Sequence, residues 1–152
     1  MSLFLILLAA GDSKRLKSSI PKPFLNMNNK TLLETSLDSF VGFKEINKTI
    51  IVYNKKHSKY IKKINIKNTL KIVGGNTRQK SVFRALTTIK KMNCKKVLIH
   101  DCARPCPSKK LISTIIYKLK KNDAVIPIIN INDAVKRVNK NKIFKNINRN
   151  SL

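Results

Sequence analysis

Apolar positions along the chain fall into short continuous runs separated by stretches with helical spacing. Leu3–Leu8 is unbroken aliphatic and aromatic sequence that continues through Ala9 and Ala10 and stops at Gly11, the pattern of a strand buried on both faces. Similar but shorter runs at 49–53, 70–73, 97–100 and 124–129 predict four further strands. Between them lie helical segments. Thr31 with Glu34 three positions on is a capping box, opening a helix to about Phe40 with Leu32, Leu33, Ser36, Leu37 and Phe40 on one side. A Lys-rich helix is expected over about 57–64, and another over about 79–92 with Val82, Phe83, Leu86 and Ile89 at helical spacing. Ser108 caps a helix from Lys109 to about Lys121. Segments 134–138 and 142–147 can pair as a hairpin arm. Regular alternation of strand and helix implies an α/β chain with a doubly wound, mostly parallel sheet and a protruding β-arm near the C-terminus. No repeat or linker interrupts residues 1–152, which therefore read as one domain.

Composition narrows the possible functions. The longest apolar run has eight residues, Leu3–Ala10, far short of the 18 or so that a membrane-spanning helix requires, and no basic segment precedes it as in a signal peptide. No membrane partner is therefore expected. Three cysteines without framework spacing point to a reducing, cytoplasmic setting. Cys94, His100, Cys102 and Cys106 lack any C-x-x-C pair and make a poor zinc set.

Charge is the most unusual property: 33 Lys+Arg against 7 Asp+Glu leave a net +26. That excess first suggests a nucleic-acid binder. Its make-up argues otherwise. Of the basic residues 27 are Lys and 6 are Arg, alongside 17 Asn and 20 Ile, the joint excess that AT-rich codon usage produces. Arg, the better bidentate reader of phosphates and bases, is scarce, and the lysines are scattered in pairs with no stripe. With six Phe, three Tyr and no Trp, stacking surfaces for single strands are thin. Nucleic acid is thus an unlikely partner, and a non-catalytic basic nucleic-acid-binding protein stays only as an alternative.

In a doubly wound sheet, ligands bind beyond the carboxyl ends of the strands, where three motifs fall. After the first strand comes Ala9-Ala10-Gly11-Asp12-Ser13-Lys14-Arg15, followed by Pro21-Lys22-Pro23. Small residues there let backbone N–H groups approach a polyphosphate, and Arg15 and Lys22 can neutralise it. The loop lacks the glycines of a Walker A or dinucleotide fingerprint. After the third strand comes Gly74-Gly75-Asn76-Thr77-Arg78-Gln79-Lys80-Ser81-Val82, two of the four glycines entering a helix N-terminus with Thr77 as cap. After the fourth comes His100-Asp101-Cys102-Ala103-Arg104-Pro105, whose carboxylate suits Mg²⁺ or, alternatively, a turn cap.

In this order and spacing the three motifs resemble the 2-C-methyl-D-erythritol 4-phosphate cytidylyltransferase family, and the resemblance runs from about Leu5 to the last residue. The stretch Asn148-Arg149-Asn150-Ser151-Leu152 looks like that family's D-R-N-x-L segment. The resemblance implies a Rossmann-like nucleotidyltransferase that moves CMP from CTP to methylerythritol phosphate, releasing pyrophosphate, with ribitol-5-phosphate or a related sugar phosphate as the alternative acceptor. Carried over position by position, Ala9, Ala10, Gly11 and Ser13 would surround CTP, and Gly75, Asn76 and Ser81 would read the cytosine. Arg15 and Lys22 would stabilise the transition state at the α-phosphate, and Asp101 would bind Mg²⁺. Arg104 and Arg149 would hold the acceptor phosphate, Arg149 across a homodimer interface formed by the arm. Ala134 stands where the family usually has Thr, Cys102 where it has Ala, and Lys80 where an acid is common. The family also continues for roughly half this length again, so residues 1–152 are expected to be the N-terminal portion of such an enzyme, with little turnover alone.

Overall fold

A computed structural model of the chain describes residues 2–12, 18–64 and 66–149. Strand β1 spans Leu3–Ala9 and is buried along its whole length. A 3-10 turn, Lys22–Phe24, leads into a two-residue pair of strands, β2 (Asn26–Met27) and β3 (Lys30–Thr31). Helix α1 (Leu32–Asp38) opens with the expected capping box: Glu34 N–H donates to Thr31 Oγ1 at 3.2 Å, and Thr31 N–H donates to Glu34 Oε2 at 2.8 Å. Strand β4 (Ile46–Tyr53) follows, then a 3-10 turn Lys55–His57 and helix α2 (Ser58–Ile61). Strand β5 (Thr69–Val73), helix α3 (Arg78–Ile89), strand β6 (Lys96–Asp101) and helix α4 (Lys109–Leu119) complete the alternation. Strands β7 (Val135–Asn139) and β8 (Lys142–Ile147) pair only with each other, antiparallel.

The main sheet has the order β5-β4-β1-β6, and its pairings are parallel. Because β1 lies between two neighbours, its alternate side chains serve opposite layers. Leu3, Leu5, Leu7 and Ala9 face α1, α2 and α4, packing with Leu33, Leu37, Ile61, Ile112 and Ile116. Phe4, Ile6 and Leu8 face α3, packing with Ala85 and Ile89. An unbroken apolar run is the sequence consequence of this two-sided burial.

Three expectations need correction. The 124–129 run is not a strand: it has no ladder partner among the described residues, and Ile126, Ile128 and Ile129 are 79%, 85% and 91% exposed. A β-run needs a neighbour to supply its backbone hydrogen bonds, and propensity alone does not hold it. The inward stripe of α3 is Ser81, Ala85 and Ile89, while Phe83 points outward at 70% exposure. Small residues let the helix lie close to the strand ends, and bulk is displaced to the outer face. The Lys-rich helix is one turn long, Ser58–Ile61, and His57, expected inside it, is buried in the preceding 3-10 turn.

Candidate functional site

The carboxyl ends of β1, β4, β5 and β6 open into one cleft of about 960 Å³, the size of a nucleotide or cofactor site. Its floor is set by the ladder. Leu8 of β1 stands opposite Asp101 of β6, and Ala9 stands opposite Tyr53, which pairs with Val73. All four segments leaving these strands are tied back to the sheet or to each other. Gly74 N–H donates to the Tyr53 carbonyl at 2.8 Å, Cys102 N–H to the Leu8 carbonyl at 3.1 Å, and Asn54 Nδ2 to Asp12 Oδ1 at 2.5 Å.

The glycine pair fits this crowding. A Cβ on Gly74 would stand 2.8 Å from both Ala10 Cβ and Ser81 Oγ, and one on Gly75 would stand 2.5 Å from Lys80 Cβ. A side chain on Gly74 would push the turn away from Ala10 and Ser81, and one on Gly75 would push it off the first turn of α3. Ser81, buried at 3% exposure, locks the turn from the helix: its hydroxyl accepts from Gly75 N–H at 3.1 Å and donates to the Gly75 carbonyl at 3.3 Å. Arg84 adds a third bond, to the Gly74 carbonyl at 2.6 Å. Thr77 caps α3 by accepting from Lys80 N–H at 3.1 Å.

The segment after β6 is equally constrained. His100 Nε2 lies 2.8 Å from the Arg104 carbonyl, so that nitrogen carries the proton, and Arg104 N–H donates to the Asp101 carbonyl at 3.0 Å. Phe40 packs edge-on against the His100 ring, and burial holds this imidazole below its ordinary pKa. Ser39 of the α1 C-terminus donates to the Pro105 carbonyl at 2.8 Å. The Cys102 thiol points into the core, where burial pushes its pKa up to about 12, so it is an inert filler. Asp101 accepts a hydrogen bond from Arg78 Nε at 3.1 Å.

Of the residues singled out in the sequence, Ala9, Ala10, Gly11, Lys22, Gly75, Asn76, Ser81, Asp101 and Arg104 line this cleft. Ser13 and Arg15 lie outside the described residues. Arg149 is not part of the cleft lining; it donates to the Asn132 carbonyl at the base of the arm. Asp12 and Arg78, which the motifs contain without an assigned role, and Asn54 and Arg84, which lie outside the motifs, also line the cleft. Arg78 and Arg84 carried a signal, since Arg is rare in this chain and both follow the double glycine.

Among the described residues no three His, Cys, Asp or Glu side chains gather as a metal cage. The donor set nonetheless fits Mg²⁺, which usually takes one or two carboxylates and completes its shell with water and substrate phosphates. Asp101, with a side chain 37% exposed, offers such a carboxylate at the cleft wall. No helix among the described residues is long and apolar enough to cross a membrane.

A parallel sheet with helices on both faces and a polar, glycine-turned cleft at its carboxyl edge defines a Rossmann-like nucleotidyltransferase fold. Within that class, the family model for 2-C-methyl-D-erythritol 4-phosphate cytidylyltransferase matches residues 3–152, and the chain belongs to this family. It is 47% identical over 147 residues to the bifunctional enzyme IspD/IspF of Pelagibacter ubique, covering 97% of this chain and 39% of that protein. It is 32% identical over 157 residues to the 2-C-methyl-D-erythritol 4-phosphate cytidylyltransferase of Petrotoga mobilis, covering 98% of this chain and 68% of that one. Among solved structures, 4-diphosphocytidyl-2C-methyl-D-erythritol synthase from Anaerococcus prevotii superposes with a TM-score of 0.80 at 30% identity, over 98% of this chain and 64% of that one. The chain thus spans roughly two-fifths to two-thirds of the length of these relatives.

Proposed function

We propose that residues 1–152 lie in one nucleotidyltransferase domain of a protein that transfers CMP from CTP to 2-C-methyl-D-erythritol 4-phosphate, releasing pyrophosphate, and that these residues alone show little turnover. The supporting observation is the cleft itself: residues from all three sequence motifs of the matched family converge on it. The reaction asks for no protein nucleophile. An oxygen of the acceptor phosphate attacks the α-phosphorus; a new O–P bond forms, the bond from that phosphorus to the bridging oxygen breaks, and pyrophosphate leaves with the electron pair. Catalysis is then positioning together with charge stabilisation.

In this reading Ala9, Ala10, Gly11 and Ser13 bring backbone close to the CTP phosphates. Gly75, Asn76 and Ser81 bound the cytosine; the Ser81 hydroxyl does so by holding the turn. Lys22, presented by a 3-10 turn anchored through buried Phe24, acts with Arg15 on charge developing at the α-phosphorus. Asp101 would hold Mg²⁺, which when bound neutralises phosphate oxygens. Arg104 holds the acceptor phosphate, and Arg149 does so from a second copy. The β7–β8 arm, with Val138, Ile143 and Phe144 between 57% and 70% exposed, supports a homodimer made through it. Three free cysteines support a cytoplasmic setting.

The test is pyrophosphate release from CTP with Mg²⁺ by a protein of the relatives' length that contains residues 1–152, using methylerythritol phosphate and ribitol phosphate side by side. Release is expected with the first acceptor, and Lys22→Gln should lower it by about 10²-fold or more, the usual cost of losing a charge-stabilising donor. Equal rates with ribitol phosphate, or indifference to Lys22, would overturn the assignment.

A further inference from the structure

Asp101 faces a cation supplied by the protein itself. Arg78 Nε stands 3.1 Å from Asp101 Oδ1, bridging the N-terminus of α3 and the carboxyl end of β6. The pairing is a single Nε–H contact and not the two-pronged fork that makes Arg–carboxylate pairs strong. Both partners are open to solvent, with side chains 61% and 37% exposed, so the pair is weak and readily exchanged. The position of Arg78 is unusual in a second way. It is the first residue of α3, which has no acidic residue in its first turn. A helix N-terminus disfavours positive charge, so helix stability does not account for an Arg there. The side chain instead lines the same cleft as Lys22, Arg84 and Arg104, where an incoming polyphosphate would meet it.

We propose that Arg78 is the exchangeable counter-ion of Asp101. Without nucleotide it neutralises the carboxylate; when the metal–nucleotide complex enters, Asp101 turns to the metal and Arg78 to a phosphate oxygen. Each charge changes partner and neither is left alone, which links metal binding at Asp101 to nucleotide binding at Arg78. The cost is competition: Arg78 opposes any divalent ion that arrives without phosphate. The proposal rests on the reading of Asp101 as the carboxylate that meets the metal.

Two measurements on the chain separate these ideas: Mn²⁺ binding alone, followed by its electron paramagnetic resonance signal, and CTP binding with Mg²⁺ by calorimetry. Removing the competing cation in Arg78→Gln should tighten bare Mn²⁺ binding about two- to fivefold, the scale of an exposed ion pair. The same variant should bind CTP with Mg²⁺ about tenfold more weakly, the scale of one lost charge-assisted hydrogen bond. Arg78→Lys should restore both values toward those of the parent chain. A purely structural role for Arg78 would weaken both affinities together. Mn²⁺ binding that is not tightened in Arg78→Gln, or CTP binding that is not weakened, overturns the counter-ion proposal. If Asp101→Asn binds Mn²⁺ as well as the parent chain, the metal reading of Asp101 falls and the proposal with it. If Asp101→Asn loses the metal while Arg78→Gln leaves its affinity unchanged, only the exchange falls.

Discussion

Strand β1 and the segment 124–131 are both rich in aliphatic residues, yet most of those in 124–131 meet the opposite environment. That segment also carries Pro127 and Asn130, and only its Val125 packs against the core. Ile6 is fully buried between β4 and β6 beneath α3, whereas Ile126, Ile128 and Ile129 stand at 79–91% exposure. One difference is local: Pro127 has no N–H to give a ladder. The larger one is the neighbours. β1 has parallel partners on both edges to take its N–H and C=O groups, and layers above and below to take its side chains. Segment 124–131 has no such partner among the described strands. Burial is therefore conferred by topology, and an apolar run is only permission to be buried.

A matched pair of truncations turns that contrast into numbers. Ile6→Ala removes atoms from a closed core and should cost about 2–5 kcal/mol in a urea melt, the range for emptying an aliphatic core site. Ile128→Ala removes atoms already in water and should change stability by less than about 0.5 kcal/mol. Comparable losses at both positions would mean that 124–131 is packed in solution, and the contrast would collapse.

The same comparison runs through the cleft at smaller scale, between a glycine that is crowded and one that is not. A Cβ on Gly74 meets Ala10, Ser81 and, at 3.1 Å, Val52 Cγ1; on Gly11 it meets nothing within 4 Å. Gly74→Ala should therefore cost about 1–3 kcal/mol through overpacking, and weaken CTP binding as the turn shifts. Gly11→Ala should leave the melting midpoint within the small change of an uncrowded site while still lowering CTP affinity, because the new methyl fills space that the phosphates would use. Calorimetric melts and CTP titrations of the two variants check this. A Gly11→Ala chain with unchanged CTP affinity would remove Gly11 from the phosphate path.

These particulars show what could be read before the structure. β1, the Thr31–Glu34 capping box and the Ser108 cap were legible because each is decided within a few residues by local hydrogen bonding and burial pattern. The convergence of three motifs was legible because parallel strands deliver their carboxyl ends to one edge. The outward turn of Phe83 was not, since helical spacing does not say which of two apolar stripes meets the sheet. The fate of 124–129 was legible only in part: Pro127 argues against a central strand, but the missing neighbour is not named by any local pattern. The Arg78–Asp101 pair was hidden for the same reason: its partners are 23 residues apart and meet only through the order of β5, β4, β1 and β6.

The weakest expected effect concerns His57, where one titratable group is packed as though it were core. Its ring meets Phe24 edge-on at 6.0 Å and 78°, and its Nδ1 is buried without a hydrogen-bond partner. Phe24 in turn stacks on Tyr60 at 4.9 Å, so the cluster holds the turn that carries Lys22. Burial lowers the imidazole pKa below its ordinary 6.5, helped by Lys56 and opposed by Asp12. A depressed folded-state pKa means that the unfolded chain takes up its proton first as pH falls. The stabilisation is thus complete above the ordinary value and is lost as pH falls through it toward the folded-state pKa. Acidification should lower the melting midpoint, and His57→Gln should flatten that dependence between about pH 7.5 and 5.5 even if it shifts the midpoint at neutral pH. Because every other ionisable group is the same in both chains, the difference between the two slopes isolates His57. Parallel slopes would mean that His57 charges freely in the folded state, and that the Phe24 cluster behind Lys22 is looser than its packing implies.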